Sequence, residues 1–96
     1  MPAISSAESQ LGEESLAVLT IRQALRSGNH GLALQLLEQA RGRFPRGTLG
    51  QEREALMIEA LAQSGARAAA EKRAVAFLRA YPKSPYAADV QRYTAR

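Results

Sequence analysis

Two short motifs recur in this chain with one constant separation. A serine–glycine pair stands at 27–28 and again at 64–65, and an aromatic–proline–base triplet stands at 44–46 and again at 81–83. Both separations are 37 residues. Glycine and proline commonly end helices, so their joint recurrence indicates a repeated helical hairpin. Self-similarity at such a period is typical of stacked helical repeats and constrains the fold to that class.

Composition supports helices throughout the chain. Alanine, leucine, arginine, glutamate and glutamine are prominent, and all of them favour helices. With 46% hydrophobic residues in a length of 96, the chain resembles an ordinary globular domain with one core. We therefore expect an all-α fold of antiparallel helical hairpins over residues 11–96, preceded by a flexible linker at residues 1–10.

Apolar residues at helical spacing predict five helices. The expected spans are about 9–27, 30–43, 49–63, 67–80 and 84 to the chain end. Their stripes share the 37-residue offset, since Ile21 maps onto Ile58. Leu16 and Leu19 lie beside the main stripe of the first helix, so we expect an apolar outer edge there.

Local signals predict where these helices begin and end. Gly28 and Gly65 are expected to end the first and third helices as left-handed caps. The expected start signals are Asn29 for the second helix, Thr48 with Gln51 for the third, and Ser84 before Pro85 for the fifth. A Ser5–Glu8 capping box would begin the first helix earlier.

Residues that carry catalytic chemistry are scarce. The chain has no cysteine, and its one histidine, His30, stands in a turn without a second ligand type near it. No nucleophile elbow and no phosphate-cradling glycine loop occurs. We therefore expect no enzyme activity, no cofactor and no metal site. No apolar run reaches the roughly 20 residues of a membrane span, so we expect no membrane insertion.

The net charge of +4 is unevenly distributed. Residues 1–21 contain three glutamates and no base, whereas all 13 bases follow. These bases alternate with acids and form no run interleaved with stacking aromatics. We interpret them as a solvated surface, and a basic nucleic-acid-binding helical domain is the less favoured alternative.

The recurring landmarks resemble a tetratricopeptide repeat. That family places a glycine at the hairpin turn, a small residue five positions later and a proline after the second helix. The matching residues are Gly28, Ala33 and Pro45 in the first copy, and Gly65, Ala70 and Pro82 in the second. The resemblance implies an α-solenoid of two such repeats plus a C-terminal helix.

Two segments resemble the repeats of particular groups of bacterial proteins. Residues 77–87 are similar to the repeats of bacterial cell-envelope lipoproteins, and residues 43–49 are similar to short repeat domains of anti-sigma-type regulators. Arginine outnumbers lysine 11 to 2, which suits a GC-rich genome. The similarity implies a domain of a bacterial protein, on the cytoplasmic or the periplasmic side.

The resemblance also implies a binding surface on the concave side, where first-helix residues of each repeat line a groove. The implied partner-binding residues are Val18, Arg22, Leu25 and Arg26 in the first repeat, and Glu52, Glu59 and Gln63 in the second. Arg22 and Glu59 occupy equivalent places, so we expect them to pair across the groove. Arg22 and Arg26 lie one turn apart and could together bind a carboxylate.

These observations favour a non-catalytic protein–protein interaction module whose partner is a protein or peptide. An alternative is a structural domain that forms a homodimer and thereby dimerises its parent protein. The basis for this alternative is the low number of repeats, because about three stacked hairpins are usually needed to bury a continuous core.

Overall fold

The computed structural model describes residues 6–94, with side-chain surroundings from residue 8 onward, and it is all-α. The helices are α1 (Ser6–Arg26), α2 (His30–Arg43), α3 (Gly50–Gln63), α4 (Arg67–Ala80) and α5 (Ala87–Gln91). No strand occurs in this part of the chain. The expected fold class is confirmed, and α2 and α4 have the bounds expected from the sequence.

The turns of the two hairpins, α1–α2 and α3–α4, repeat in atomic detail. Gly28 and Gly65 have φ of +78° and +93°, as expected for left-handed caps. The next backbone N–H in each turn donates to the carbonyl five residues earlier, at 2.8 Å from Asn29 and at 2.9 Å from Ala66. The Asn29 side chain also accepts from the Leu32 N–H at 3.2 Å, which confirms the expected cap of α2.

The ends of the two hairpins repeat at the same offset. Phe44 follows α2 with φ −128° and ψ 59°, and Tyr81 follows α4 with φ −134° and ψ 61°. Each donates its N–H to the carbonyl four residues earlier, at 2.8 and 2.7 Å respectively. The 37-residue period of the sequence is therefore a period of the backbone, and it continues into the start of α5.

The helices form two layers. α3 packs against both α1 and α5, so α1, α3 and α5 make one continuous surface, which we call the inner face. α2 packs against α1 and α3, and α4 packs against α3 and α5, but α2 and α4 do not pack against each other. The opening between α2 and α4, which we call the outer cleft, follows from this arrangement.

The core consists of two apolar clusters that meet at α3. The first combines residues of α1, α2 and α3: Val18, Ile21, Ala24, Leu25, Ala33, Leu37, Leu56 and Ala60. The second joins α3, α4 and α5: Ile58, Ala70, Ala74, Phe77 and Val90. Ile21 and Ile58 are fully buried and stand 37 residues apart, so each hairpin places an isoleucine at the same point of its core.

The first helix begins earlier than its core stripe indicates. Residues 6–10, which the sequence assigns to a linker, form the first turns of α1. Glu8 in the first turn favours this start because it opposes the positive end of the helix dipole. Residues 1–5, with Ser5 of the expected capping box, and residues 95–96 lie outside the described residues.

Two expected helix starts are wrong in detail. Thr48 does not cap α3, because Leu49 takes the capping position without a side-chain hydrogen bond. α5 begins at Ala87, three residues after Ser84. There the Ser84 carbonyl accepts from the Ala87 N–H at 3.0 Å and its hydroxyl accepts from the Tyr86 N–H at 3.1 Å, which forms a turn before the helix.

We expect Leu37→Ala and Phe77→Ala each to lower the free energy of unfolding by about 2–5 kcal/mol, because each truncation leaves a cavity in one core cluster. Both side chains are only 2% exposed. Leu32→Ala on α2 is the matched control, since Leu32 is 39% exposed. Its effect should be about 0.5 kcal/mol or less. Urea unfolding of the three variants measures this, and equal effects of Leu37→Ala and Leu32→Ala would contradict the packing.

Candidate functional site

Polar side chains from three helices converge on the inner face. Arg22 of α1 donates to Oε2 of Glu52 in α3, from Nε at 2.8 Å and also from Nη2. The hydroxyl of Tyr86, at the start of α5, donates to the other oxygen, Oε1, at 3.1 Å. One carboxylate thus links the first helix of each hairpin to the C-terminal helix.

Glu52 is held at this place by the start of α3. It lies in the first helical turn, where a negative charge is favoured by the helix dipole. Its side chain is 13% exposed, whereas that of Arg22 is 43% exposed. The carboxylate is therefore a fixed anchor, and the guanidinium presents its remaining N–H groups to solvent.

A small cavity of about 160 Å³ lies beside this network. Its floor is Ala55 and Leu56 of α3. Its polar wall comes from α1, α3 and the residues of α5 and its two ends: Arg22, Glu52, Glu59, Tyr86, Asp89, Arg92 and Tyr93. Basic, acidic and hydroxyl groups are mixed on this wall, so the surface offers both donors and acceptors.

Both tyrosines of the cavity titrate above the ordinary range. Burial raises the pKa of Tyr86 above its usual 10.0, and the hydrogen bond to Glu52 adds to that rise. Burial also raises the pKa of Tyr93, and the nearby Glu59 carboxylate raises it further. Both phenols are protonated at neutral pH, and that of Tyr86 donates its hydrogen bond to Glu52.

Of the seven expected partner-binding residues, the structure leaves five outside the core and places two in it. Arg22, Glu52 and Glu59 line the same cavity, and Gln63 donates to Glu59 at 3.3 Å. Arg26 is exposed on the last turn of α1. These five residues remain candidates for partner binding.

Val18 and Leu25 are core residues instead. They are 4% and 5% exposed and belong to the first apolar cluster, so an incoming chain does not reach them. The expected ion pair is also different, because Arg22 bonds to Glu52 and not to Glu59. Arg22 faces the first turn of α3, which lies two turns before Glu59.

A buried ion pair sets the position of α1 against α3 and was not expected from the sequence. Glu14 of α1 is 1% exposed and accepts at Oε2 from Arg53 Nε at 2.9 Å and from the Leu49 N–H at 3.2 Å. Arg53 also donates to the Phe44 carbonyl at 2.8 Å. We call this arrangement the joint, because it ties α1, the α2–α3 connection and α3 together.

Gly47 completes the joint by leaving room for it. A Cβ atom built on Gly47 would overlap the Glu14 carboxylate. Only glycine fits there without displacing the buried pair. The adjacent Pro45-Arg46-Gly47 segment therefore has a packing role besides ending α2.

The outer cleft is a second concave surface, and the sequence did not indicate it. Its cavity has a volume of about 430 Å³ and an apolar floor that includes Met57 and Phe77. On its rim, Arg73 of α4 donates to both oxygens of Glu54 in α3, at 2.9 and 3.0 Å. The signal that could have revealed the cleft is that α2 and α4 line it, apart from Leu37 and Phe77, with arginines and alanines: Arg41, Arg73, Ala76 and Ala80.

Other classes of site are not found in the described residues. Within residues 6–94 no cluster of three or more histidine, cysteine, aspartate or glutamate side chains could hold a metal ion. None of the helices described is long and apolar enough to cross a membrane. Comparison with protein-family models, with curated proteins and with solved structures gave no match to this chain. Its function must therefore be argued from its own residues.

The two tyrosines should respond selectively to their own acidic neighbours. We expect Glu52→Gln to lower the pKa of Tyr86 and leave that of Tyr93 unchanged, and Glu59→Gln to do the reverse. Titration of the tyrosine ring signals by NMR measures both. Because both pKa values are raised by folding, these tyrosines contribute stability below pH 10.0 that is lost at higher pH. Identical shifts in both variants would contradict the described network.

Proposed function

We propose that this chain is a tetratricopeptide-like protein-binding module from a bacterial protein. Its ligand is a segment of another polypeptide that lies along the inner face. The arrangement of the helices supports this proposal, since two hairpins with the same turns and caps stack so that α1, α3 and α5 form one continuous surface. Such repeat surfaces characteristically bind extended or helical segments of other chains.

One observation carries the proposal: side chains from three helices meet around the Glu52 carboxylate. A stack of helices needs no such polar convergence for its stability, because exposed ion pairs contribute little. The convergence instead keeps donors and acceptors in fixed positions before a ligand arrives. Fixed polar groups beside a small apolar floor are suited to a peptide backbone and its short side chains.

The charges of the inner face favour a peptide of mixed polarity. Glu52 neutralises Arg22, and Arg92 lies 3.9 Å from Asp89, so neither sign of charge dominates the cavity. A segment with alternating acidic and basic residues would meet complementary partners on α1 and α5. A uniformly charged polymer such as nucleic acid would meet repulsive groups here.

Selection of peptides from a random displayed library against the full chain tests this function. We expect enriched peptides whose affinity falls at least tenfold, or about 1.4 kcal/mol, in the Arg22→Ala variant. Arg73→Ala is the matched control, because Arg73 is also paired with a glutamate and its side chain is 46% exposed, against 43% for Arg22. We expect that control to bind like the unmodified chain.

Two results would count against the proposal. If no peptide is enriched, the chain is not a peptide-binding module. If the enriched peptides lose affinity in Arg73→Ala and not in Arg22→Ala, the binding surface is the outer cleft and not the inner face.

A further inference from the structure

A third concave surface lies at the amino-terminal end of the stack, between α1 and α2. We call it the amino-terminal groove; its cavity has a volume of about 340 Å³. Leu16 and Ala17 of α1 and Leu36 of α2 supply its apolar surface. Leu16 is 66% exposed, and Leu19, one turn further along α1, is 49% exposed. Together with Leu11, at 41%, they make three large apolar side chains of α1 that stand open to solvent.

The 37-residue offset shows what this groove lacks. Every residue that lines it has a counterpart 37 positions later that lines the outer cleft. The outer cleft has an additional wall from the preceding hairpin, formed by Leu37, Arg41 and Pro45. No described residue forms that wall at the amino-terminal groove. The same groove therefore occurs twice, once beside a neighbouring helix and once open.

The amino-terminal groove is also more apolar than the outer cleft at two equivalent positions. Leu16 stands where the second hairpin has Arg53, and Leu36 stands where it has Arg73. Both arginines of the second hairpin form ion pairs with glutamates. Leu16 and Leu36 cannot form ion pairs, and water is a poor surrounding for their side chains. They are suited to contact with another helix that packs across α1.

The charges along α1 indicate which helix fits. The exposed acids Glu8 and Glu13 stand in its first half and the exposed base Arg26 in its last turn, whereas Glu14 is buried in the joint and Arg22 is paired on the inner face. A second α1 in antiparallel orientation would place the acidic start of one helix beside Arg26 at the end of the other. Gly12 has no side chain and lies in open space, so another helix can approach α1 closely there. A parallel copy would place like charges together.

We infer that two copies of this chain form a two-fold dimer through antiparallel α1 helices, with Leu16 of each copy opposite Leu19 of the partner subunit. This register places Gly12 opposite Gln23 of the partner subunit. The paired length is about 27 Å, given 1.5 Å per residue over residues 9–26. A contact of one helix face per subunit is modest in area, so we expect a dissociation constant in the micromolar range. The inner face stays free, and this inference does not depend on the proposed peptide binding.

Sedimentation velocity of the full chain, up to about 1 mM, measures the dimer. We expect Leu16→Glu and Leu19→Glu each to weaken association at least about 100-fold, because each places a charge in the apolar centre of the contact. Both side chains are exposed in the single subunit, so helical content and thermal stability should be retained. Tyr81→Glu is the control, since Tyr81 is 42% exposed at the end of α4 and does not line the amino-terminal groove.

Disulfide trapping tests the orientation, and the natural absence of cysteine simplifies it. We expect a mixture of the Gly12→Cys and Gln23→Cys variants to form a mixed disulfide rapidly on mild oxidation, and Gln23→Cys alone to form little. A monomer at every concentration would overturn the inference. A dimer that is sensitive to Tyr81→Glu and resistant to Leu16→Glu, or rapid trapping of Gln23→Cys alone, would overturn it as well.

Discussion

The buried ion pair between Glu14 and Arg53 is the interaction on which the rest of the structure depends. It is the only place in the described core where two opposite charges are almost fully withdrawn from water, at 1% and 9% exposure. Its hydrogen bonds reach Leu49 and Phe44 in the α2–α3 connection, so it fixes the relation between the two hairpins. Without a fixed relation, Arg22 would not meet Glu52, and the inner face would not be continuous.

The two connections that follow α2 and α4 are packed by different kinds of residue. At the second connection Gln51 replaces Glu14, Ser84 replaces Gly47 and buried Val90 replaces Arg53. A valine there needs no partner, whereas a buried charge must be paired and hydrogen-bonded. The first connection is thus the more specific one, since an ion pair of this kind tolerates few alternative arrangements of the helices. The second connection relies on apolar packing beneath α5.

Periodicity made the helices predictable, because glycine and proline act locally and leave the same turn in both repeats. The bounds of α2 and α4, the caps at Gly28 and Gly65, and the exposed outer leucines of α1 all follow from spacing and polarity. The ion-pair partners of the charged residues could not be predicted from spacing and polarity. Arg53 stands between acidic neighbours and was expected on a solvated face, yet the α2–α3 connection folds over it. Arg22 was matched to Glu59 by equivalence in sequence, but the offset of α1 against α3 decides the pair, and this offset is a property of tertiary packing.

A double-mutant cycle on Glu14 and Arg53 tests most directly whether this pair holds the hairpins together. The measurement is the free energy of unfolding of Glu14→Ala, Arg53→Ala and the double variant. Each single change should cost about 3–5 kcal/mol, because it leaves the other charge buried without a partner. The double variant should cost less than the sum of the two by about 2 kcal/mol or more. Additive effects, or single effects as small as the roughly 0–1 kcal/mol of an exposed ion pair, would contradict the role of the joint.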